Sequence, residues 1–156
     1  MAAAPTAIST DEAARPRLAT RRLVAAGVAV AAAVVLALAA WMQPSSAGHG
    51  THTQIGLPPC GFEMTTGLPC ATCGMTTSFA HAADGRFLAS FLTQPAGFVL
   101  AVLTAIALIV GGYIAATGAD PRPLKSLVSA KLLLAFGGLI LAAWCYKLLV
   151  TLGGLA

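Results

Sequence analysis

The chain alternates long apolar stretches with shorter polar ones, and three of the apolar stretches are long enough to span a bilayer. A helix needs about 20 apolar residues to cross the hydrocarbon core of a membrane. Residues 23–42, 96–116 and 131–152 meet this requirement, and Lys131 and Lys147 near the ends of the third can extend their amines towards water. The pattern predicts an all-α integral membrane protein with three transmembrane helices.

The first two spans are separated by residues 43–95, which have the composition of a loop with short helices. Residues 75–83 and 87–93 have helical composition; an Asp-Gly turn follows the first and a proline stops the second. The second helix has an apolar face formed by Phe87, Leu88, Phe91 and Leu92. These two helices are expected to lie in the membrane interface or, alternatively, to pack as a compact cap on the span ends.

Charge placement predicts how the chain is oriented in the membrane. Basic residues precede the first span and the third, namely Arg15, Arg17, Arg21, Arg22, Arg122, Lys125 and Lys131. Because cytoplasmic segments carry the excess of Lys and Arg, residues 1–22 are predicted to be a disordered cytoplasmic tail and residues 117–130 a cytoplasmic loop. The Cys-containing loop 43–95 and the C-terminus are then external to the cell membrane.

Aromatic residues agree with this topology, since Trp41, Trp144 and Tyr146 all fall in the outer interface. In an alternative interpretation, residues 1–47 are a cleaved signal peptide, but an apolar stretch of 20 residues exceeds the usual signal core of about 7–15. The retained helix is therefore favoured.

Composition indicates a membrane protein and gives no sign of nucleic-acid binding. Of the 156 residues 58% are hydrophobic and 9% charged, whereas soluble proteins have about 25% charged residues. The net charge of +4 does not indicate nucleic-acid binding, because no basic stripe with interleaved aromatic residues is present. The expected partner is the lipid bilayer. Glycines at 27, 111, 112, 137 and 138 also permit close helix approach, so another membrane protein or self-association is a further expectation.

Candidate chemistry is concentrated in the loop, where Cys60, Cys70 and Cys73 occur close together. Cys60-Gly61 and Cys73-Gly74 belong to a short internal repeat. Met-Thr-Thr follows the first pair after two residues and the second pair directly. The three cysteines allow a disulfide between any two of them, a redox dithiol at Cys70 and Cys73, or a metal site of three soft ligands. A covalent haem is excluded because Gly74 stands where the attachment motif requires histidine.

A metal site would need a fourth ligand, and the ion would be zinc or copper. His81 is separated from Cys73 by about 12 Å of helix, so the two cannot share an ion. His49 and His52 lie in the preceding loop and could reach it. Met64 and Met75 would favour Cu(I) if they were ligands, but such methionines more often pack against aromatic residues. Cys145 is interpreted as a small apolar residue of the third span.

Residues 60–95 resemble an uncharacterised bacterial three-span membrane family, a domain of unknown function. The resemblance rests on Cys60, on Gly67-Leu68-Pro69-Cys70, on Cys73-Gly74-Met75-Thr76, and on Gly85 and Pro95. The chain departs from the family pattern at five positions: Gly61 and Ala71 replace prolines, Thr77 an arginine, Arg86 an aspartate and Gln94 an asparagine. The resemblance implies a topology and a motif, and no activity.

No set of residues typical of catalysis is visible, since Glu63, Asp84 and Asp120 are isolated in the sequence. We therefore expect a non-enzymatic accessory or binding subunit whose external Cys motif is a structural clamp, closed by a disulfide or a metal ion. The alternative is a thiol-redox or metal-handling membrane protein that uses Cys70 and Cys73 directly.

Overall fold

The computed structural model describes residues 10–120 and 130–153, and within these ranges the chain forms helices and turns without a strand. Three helical segments are long and apolar enough to cross a membrane: Arg17–Trp41, Pro95–Thr117 and Leu134–Leu152. The predicted all-α class with three candidate spans is thereby confirmed. The predicted loop residues Arg122 and Lys125 lie outside the described ranges.

Six α-helices and one 3-10 helix make up the described chain. They are α1 (Thr10–Trp41), the 3-10 helix (Thr51–Ile55), α2 (Gly61–Thr66), α3 (Met75–Ala83), α4 (Phe87–Thr93), α5 (Pro95–Thr117) and α6 (Ala130–Leu152). Helices α3 and α4 have the predicted bounds. Helix α3 ends in a turn closed by a hydrogen bond from the Gly85 N–H to the Ala82 carbonyl. After α4, Pro95 is the first residue of α5.

Two segments of the structure differ from the sequence prediction. Helix α1 begins at Thr10, so the disordered tail predicted for residues 1–22 is wrong for residues 10–22. That segment is rich in Ala and Arg, and extending an existing helix avoids the cost of nucleation. The 3-10 helix and α2 lie in a stretch that the sequence indicated to be loop, because both are too short to show periodicity.

Helices α1 and α5 pack closely through small residues. The buried positions of α1 are alanines at helical spacing, Ala25, Ala29, Ala32 and Ala39. Opposite them, a Cβ at Gly111 would lie 3.0 Å from the Ala25 carbonyl oxygen and 3.3 Å from the Ala29 Cβ. Of the five glycines from which close helix approach was predicted, only Gly111 provides it. The other four, Gly27, Gly112, Gly137 and Gly138, face open space.

This contact predicts different effects for two adjacent glycines. Gly111→Leu should weaken the α1–α5 contact by about 1–3 kcal/mol, the usual cost of overpacking. Gly112→Leu should have little effect, because nothing lies within 4 Å of a Cβ at Gly112. Unfolding of the purified variants in mixed micelles of mild detergent and SDS measures both. Equal losses would contradict the packing described here.

The arginines before the first span contact the C-terminal end of α5. Arg21 Nη1 donates to the Gly118 carbonyl at 3.2 Å, and the Arg22 guanidinium donates to the carbonyls of Ala115 and Ala116. Carbonyls in the last turn of a helix lack partners within it and carry partial negative charge, so cationic side chains stabilise them. The start of the first span and the end of the second therefore lie at the same level.

At the other end of these helices, α3 packs against α1 and α5. Phe79 of α3 forms an apolar cluster with Ala39 and Ala101, and Gly97 allows α5 to approach α3 so closely that a Cβ would meet the Ser78 Cβ at 2.9 Å. Of the two predicted arrangements, α3 follows the compact cap. Helix α4 instead exposes its apolar face of Phe87, Leu88, Phe91 and Leu92.

Buried hydroxyl groups join the short helices to one another. Ser78 Oγ donates to the Ser90 carbonyl at 2.9 Å, and Ser90 Oγ donates to the Ser78 carbonyl at 2.7 Å. The hydroxyls of Thr51 and Thr77 are 2.8 Å apart. All four residues are buried. These hydrogen bonds fix α3 relative to α4 and to the 3-10 helix. We call residues 43–94, which they organise, the extramembrane layer.

Candidate metal centre

The three loop cysteines lie together in the extramembrane layer. Their sulfur atoms are all within 4.8 Å of one another, and they form a cluster of candidate metal ligands among the described residues. Cys73 is buried, with 6% of its surface exposed, whereas Cys60 and Cys70 are partly exposed. We refer to these three residues as the cysteine cluster.

Two short structures place the sulfurs. Cys60 is the N-cap of α2, and the turn from Cys70 to Cys73 is closed by a hydrogen bond from Cys73 N–H to the Cys70 carbonyl at 3.0 Å. The turn brings the sulfurs of Cys70 and Cys73 to 3.4 Å. Gln94 holds it in place, because its Nε2 donates to the Ala71 carbonyl at 3.0 Å.

These separations suit a metal ion. Two thiolates bound to one tetrahedral zinc, each at about 2.3 Å, are about 3.8 Å apart. The sulfurs of Cys70 and Cys73 are 3.4 Å apart, and no two sulfurs of the cluster are more than 4.8 Å apart. Small side-chain rotations would therefore suffice for all three to bind the same ion.

The two cysteines of the turn differ in acidity. Burial raises the pKa of Cys70, but hydrogen bonds with Thr72 and Cys73 outweigh it and lower that pKa to about 7. Burial and the hydrogen bond with Cys70 raise the pKa of Cys73 to about 12. The lowered pKa favours the thiolate at Cys70, and the thiolate is the form of cysteine that reacts and binds metals.

A carboxylate that the sequence indicated to be isolated lies beside the cluster. Glu63 Oε2 is 3.8 Å from Cys73 Sγ, and its other oxygen, Oε1, is 3.3 Å from His49 Nδ1. Glu63, although isolated from other acidic residues in the sequence, is thus placed next to Cys73 by the fold. Sequence inspection missed it because its relation to Cys73 depends on the fold, although its position three residues after Cys60 was a signal.

The third span also contacts this region. Lys147 Nζ donates to the Cys73 carbonyl at 2.9 Å and to the Gly48 carbonyl at 3.2 Å, and Trp144 Nε1 donates to the Pro69 carbonyl at 3.0 Å. The sequence predicted only that Lys147 would reach towards water. In the fold, its ammonium group instead bonds the backbone of Gly48 and that of Cys73, which belongs to the cysteine cluster.

The histidines and methionines occupy different surroundings. His52 lines a cavity of about 370 Å³ with the three cysteines and Met75, and its Nε2 is 3.1 Å from the Pro58 carbonyl. Met64 is exposed.

His81 lies on α3 outside the cluster, as predicted, and its buried Nδ1 has no hydrogen-bond partner. Burial and the nearby Arg86 lower the pKa of His81. Cys145 is exposed on α6 and outside the cluster.

Residues 60–108 match the family described as "Protein of unknown function (DUF2752)". The resemblance to an uncharacterised family is thereby confirmed over this region. The match includes the cysteine cluster, Glu63, α3, α4 and the first part of α5. His49 and His52 precede it and Lys147 follows it. No curated protein and no solved structure matches the chain.

Two departures from the DUF2752 pattern have structural explanations. Thr77, which stands in place of an arginine, is fully buried and bonded to Thr51, so this position contributes to packing and presents no charge. Gln94 replaces asparagine and keeps an amide that bonds the cysteine turn. Position 94 of this chain therefore carries an amide that bonds the turn, while position 77 carries no cationic group.

Proposed function

We propose that the cysteine cluster binds one metal ion, zinc in the first instance, and that this ion clamps the extramembrane layer of a non-enzymatic membrane protein. The observation that carries the proposal is the convergence of three sulfurs from two separate segments within 4.8 Å. A disulfide would use only two of them. The deprotonated cluster would also carry three negative charges, two of which a divalent cation offsets.

The contacts around the cluster support a clamp as its role. The segments that supply the sulfurs also contact Gln94, the N-cap residue of α5, and α6 through Trp144 and Lys147. An ion held there would tie the loop to the ends of two spans. We propose that the surface fixed in this way binds another membrane protein, as expected of an accessory subunit.

Thiol counting combined with metal analysis tests the clamp. In the purified full-length protein we expect one metal ion per chain and three loop thiols that resist alkylation until a chelator is added. Mass spectrometry of the alkylated peptides identifies each cysteine. A metal-free protein with one alkylated loop thiol, and two released only by reductant, would contradict the metal clamp and indicate a disulfide.

A second candidate function is thiol-disulfide exchange, favoured by the 3.4 Å between Cys70 Sγ and Cys73 Sγ. The Cys70 thiolate would attack a partner disulfide, and Cys73 would then displace the partner from the mixed disulfide. The protein dithiol is oxidised to a disulfide, and the partner disulfide is reduced to two thiols. Rapid, reversible reduction and reoxidation of this pair, in a chain without metal, would favour this function over the clamp.

We also propose that the cysteine cluster is external to the cell membrane and that residues 121–129 are cytoplasmic. Single reporter cysteines at Ser46→Cys and Ser126→Cys, in a chain whose native cysteines are replaced by serine, test this orientation. A membrane-impermeant maleimide should label the first in intact cells and the second only after permeabilisation. The opposite pattern would overturn the positive-inside assignment.

A further inference from the structure

Three sulfur ligands leave one position of a closed tetrahedral site unassigned. Structural zinc sites are almost always four-coordinate, with cysteine, histidine or carboxylate ligands. Within the described chain, the clustered ligand atoms that are mutually within 4.8 Å are the three sulfurs. The fourth ligand of such a site would be a neighbouring group that makes a short movement, and the candidates beside the cluster are Glu63, His49 and His52.

Glu63 is already at a ligand-to-ligand distance from one sulfur of the cluster, that of Cys73. A sulfur at about 2.3 Å and an oxygen at about 2.1 Å from one tetrahedral zinc are about 3.6 Å apart. Glu63 Oε2 lies 3.8 Å from Cys73 Sγ. The carboxylate is also oriented, because His49 Nδ1 contacts Oε1 at 3.3 Å and leaves Oε2 directed at the sulfur. Such contacts from outside the ligand set fix ligand geometry in metal sites.

Glu63 has the same sequence spacing from Cys60 as Cys73 has from Cys70. Cys60 is the N-cap of α2 and Glu63 is in its first turn, so Glu63 stands three positions after Cys60 in one short segment. There the Met64 N–H bonds the Cys60 carbonyl, whereas in the other pair the Cys73 N–H bonds the Cys70 carbonyl. The turn from Cys70 to Cys73 spans the same number of residues. The site would then consist of two matching pairs, Cys60-x-x-Glu63 and Cys70-x-x-Cys73, each on one short turn.

Charge is also consistent with a carboxylate ligand. Three thiolates and a carboxylate around a divalent ion carry a net negative charge. Lys147 offsets part of this charge, because its ammonium group donates to the Cys73 carbonyl. His52 is the competing ligand because it lines the same cavity as the cysteines and bonds the Pro58 carbonyl through Nε2, which leaves Nδ1 available.

We propose that Glu63 Oε2 is the fourth ligand of the ion in the cysteine cluster, an inference that rests on the proposed metal-binding function. Helix α2 thereby supplies two of the four ligands. The His49–Glu63 contact becomes an outer contact that orients a ligand, with no need for a role of His49 as a ligand itself.

Cobalt(II) binding to the full-length protein in detergent tests this assignment, because thiolate-to-cobalt charge-transfer absorption increases with each thiolate bound. Glu63→Ala should weaken Co²⁺ binding by about 100-fold or more, beyond the 10–100-fold typical of outer contacts. Glu63→Cys should restore binding and increase the charge-transfer absorption above that of the wild type. His52→Ala should bind Co²⁺ like the wild type.

The possible failures are distinguishable. A wild-type protein that binds no Co²⁺ and no Zn²⁺ would reject the metal function and, with it, the role of Glu63. A wild-type protein that binds Co²⁺ but loses it through His52→Ala, with Glu63→Ala unaffected, would assign the ligand to His52. The role of Glu63 would also be overturned if Glu63→Ala lost Co²⁺ binding but Glu63→Cys neither restored binding nor increased the charge-transfer absorption. It would be overturned as well if neither alanine variant changed Co²⁺ binding.

Discussion

Replacing Cys60 with serine is expected to lower the free energy of unfolding of the extramembrane layer by about 2–5 kcal/mol, the range typical of losing a covalent or metal clamp in a small domain. The reason is the packing of α2, which has no buried residue of its own. Without a buried apolar side chain, this helix depends on the contacts of Cys60 and Glu63 with the cysteine turn.

Limited proteolysis of the purified protein measures this loss. In Cys60→Ser, cleavage between residues 57 and 68 should become faster, and the amount of protein in the membrane should fall. Cys145→Ser is the matched control, since Cys145 is exposed on α6 and outside the cluster. Cys70→Ser and Cys73→Ser should behave like Cys60→Ser. If Cys60→Ser retained full protection while the other two lost it, a Cys70–Cys73 disulfide would replace the metal clamp.

The parts of the fold that sequence predicted well are those determined by local pattern. The three spans follow from the length of apolar runs, and α3 and α4 follow from helical composition bounded by an Asp-Gly turn and by Pro95. Helix α2 could not be predicted in this way. Its six residues show no apolar periodicity. The contact that it makes with the cysteine turn joins residues ten positions apart, which no local pattern shows.

The site shows the same division between local and distant information. Short spacing predicted that Cys70 and Cys73 would be neighbours, and the motif indicated that Cys60 would join them. Lys147 is 74 residues from Cys73 in the chain, so no local pattern connects them. Its part in the site follows from the return of the third span to the side of the membrane at which the first span ends.

Gly74→Ala is expected to destabilise the extramembrane layer by about 2–5 kcal/mol, through two costs that act together. Gly74 has φ +87°, in the left-handed region where a side chain costs about 1–2 kcal/mol. Its Cβ would also lie 2.6 Å from the Gly48 carbonyl oxygen and in direct collision with Lys147 Nζ. Overpacking of this kind typically adds about 1–3 kcal/mol.

Gly67→Ala separates the two costs, because Gly67 has φ +70° and nothing within 4 Å of a Cβ. It should therefore show the backbone cost alone. Thermal unfolding of both variants, followed by protease resistance of residues 43–94, gives the comparison. Gly74→Ala should also weaken metal binding, since displacing Lys147 moves the carbonyl of Cys73. Equal destabilisation by the two alanines, with metal binding unchanged in both, would mean that the third span does not brace the cysteine cluster.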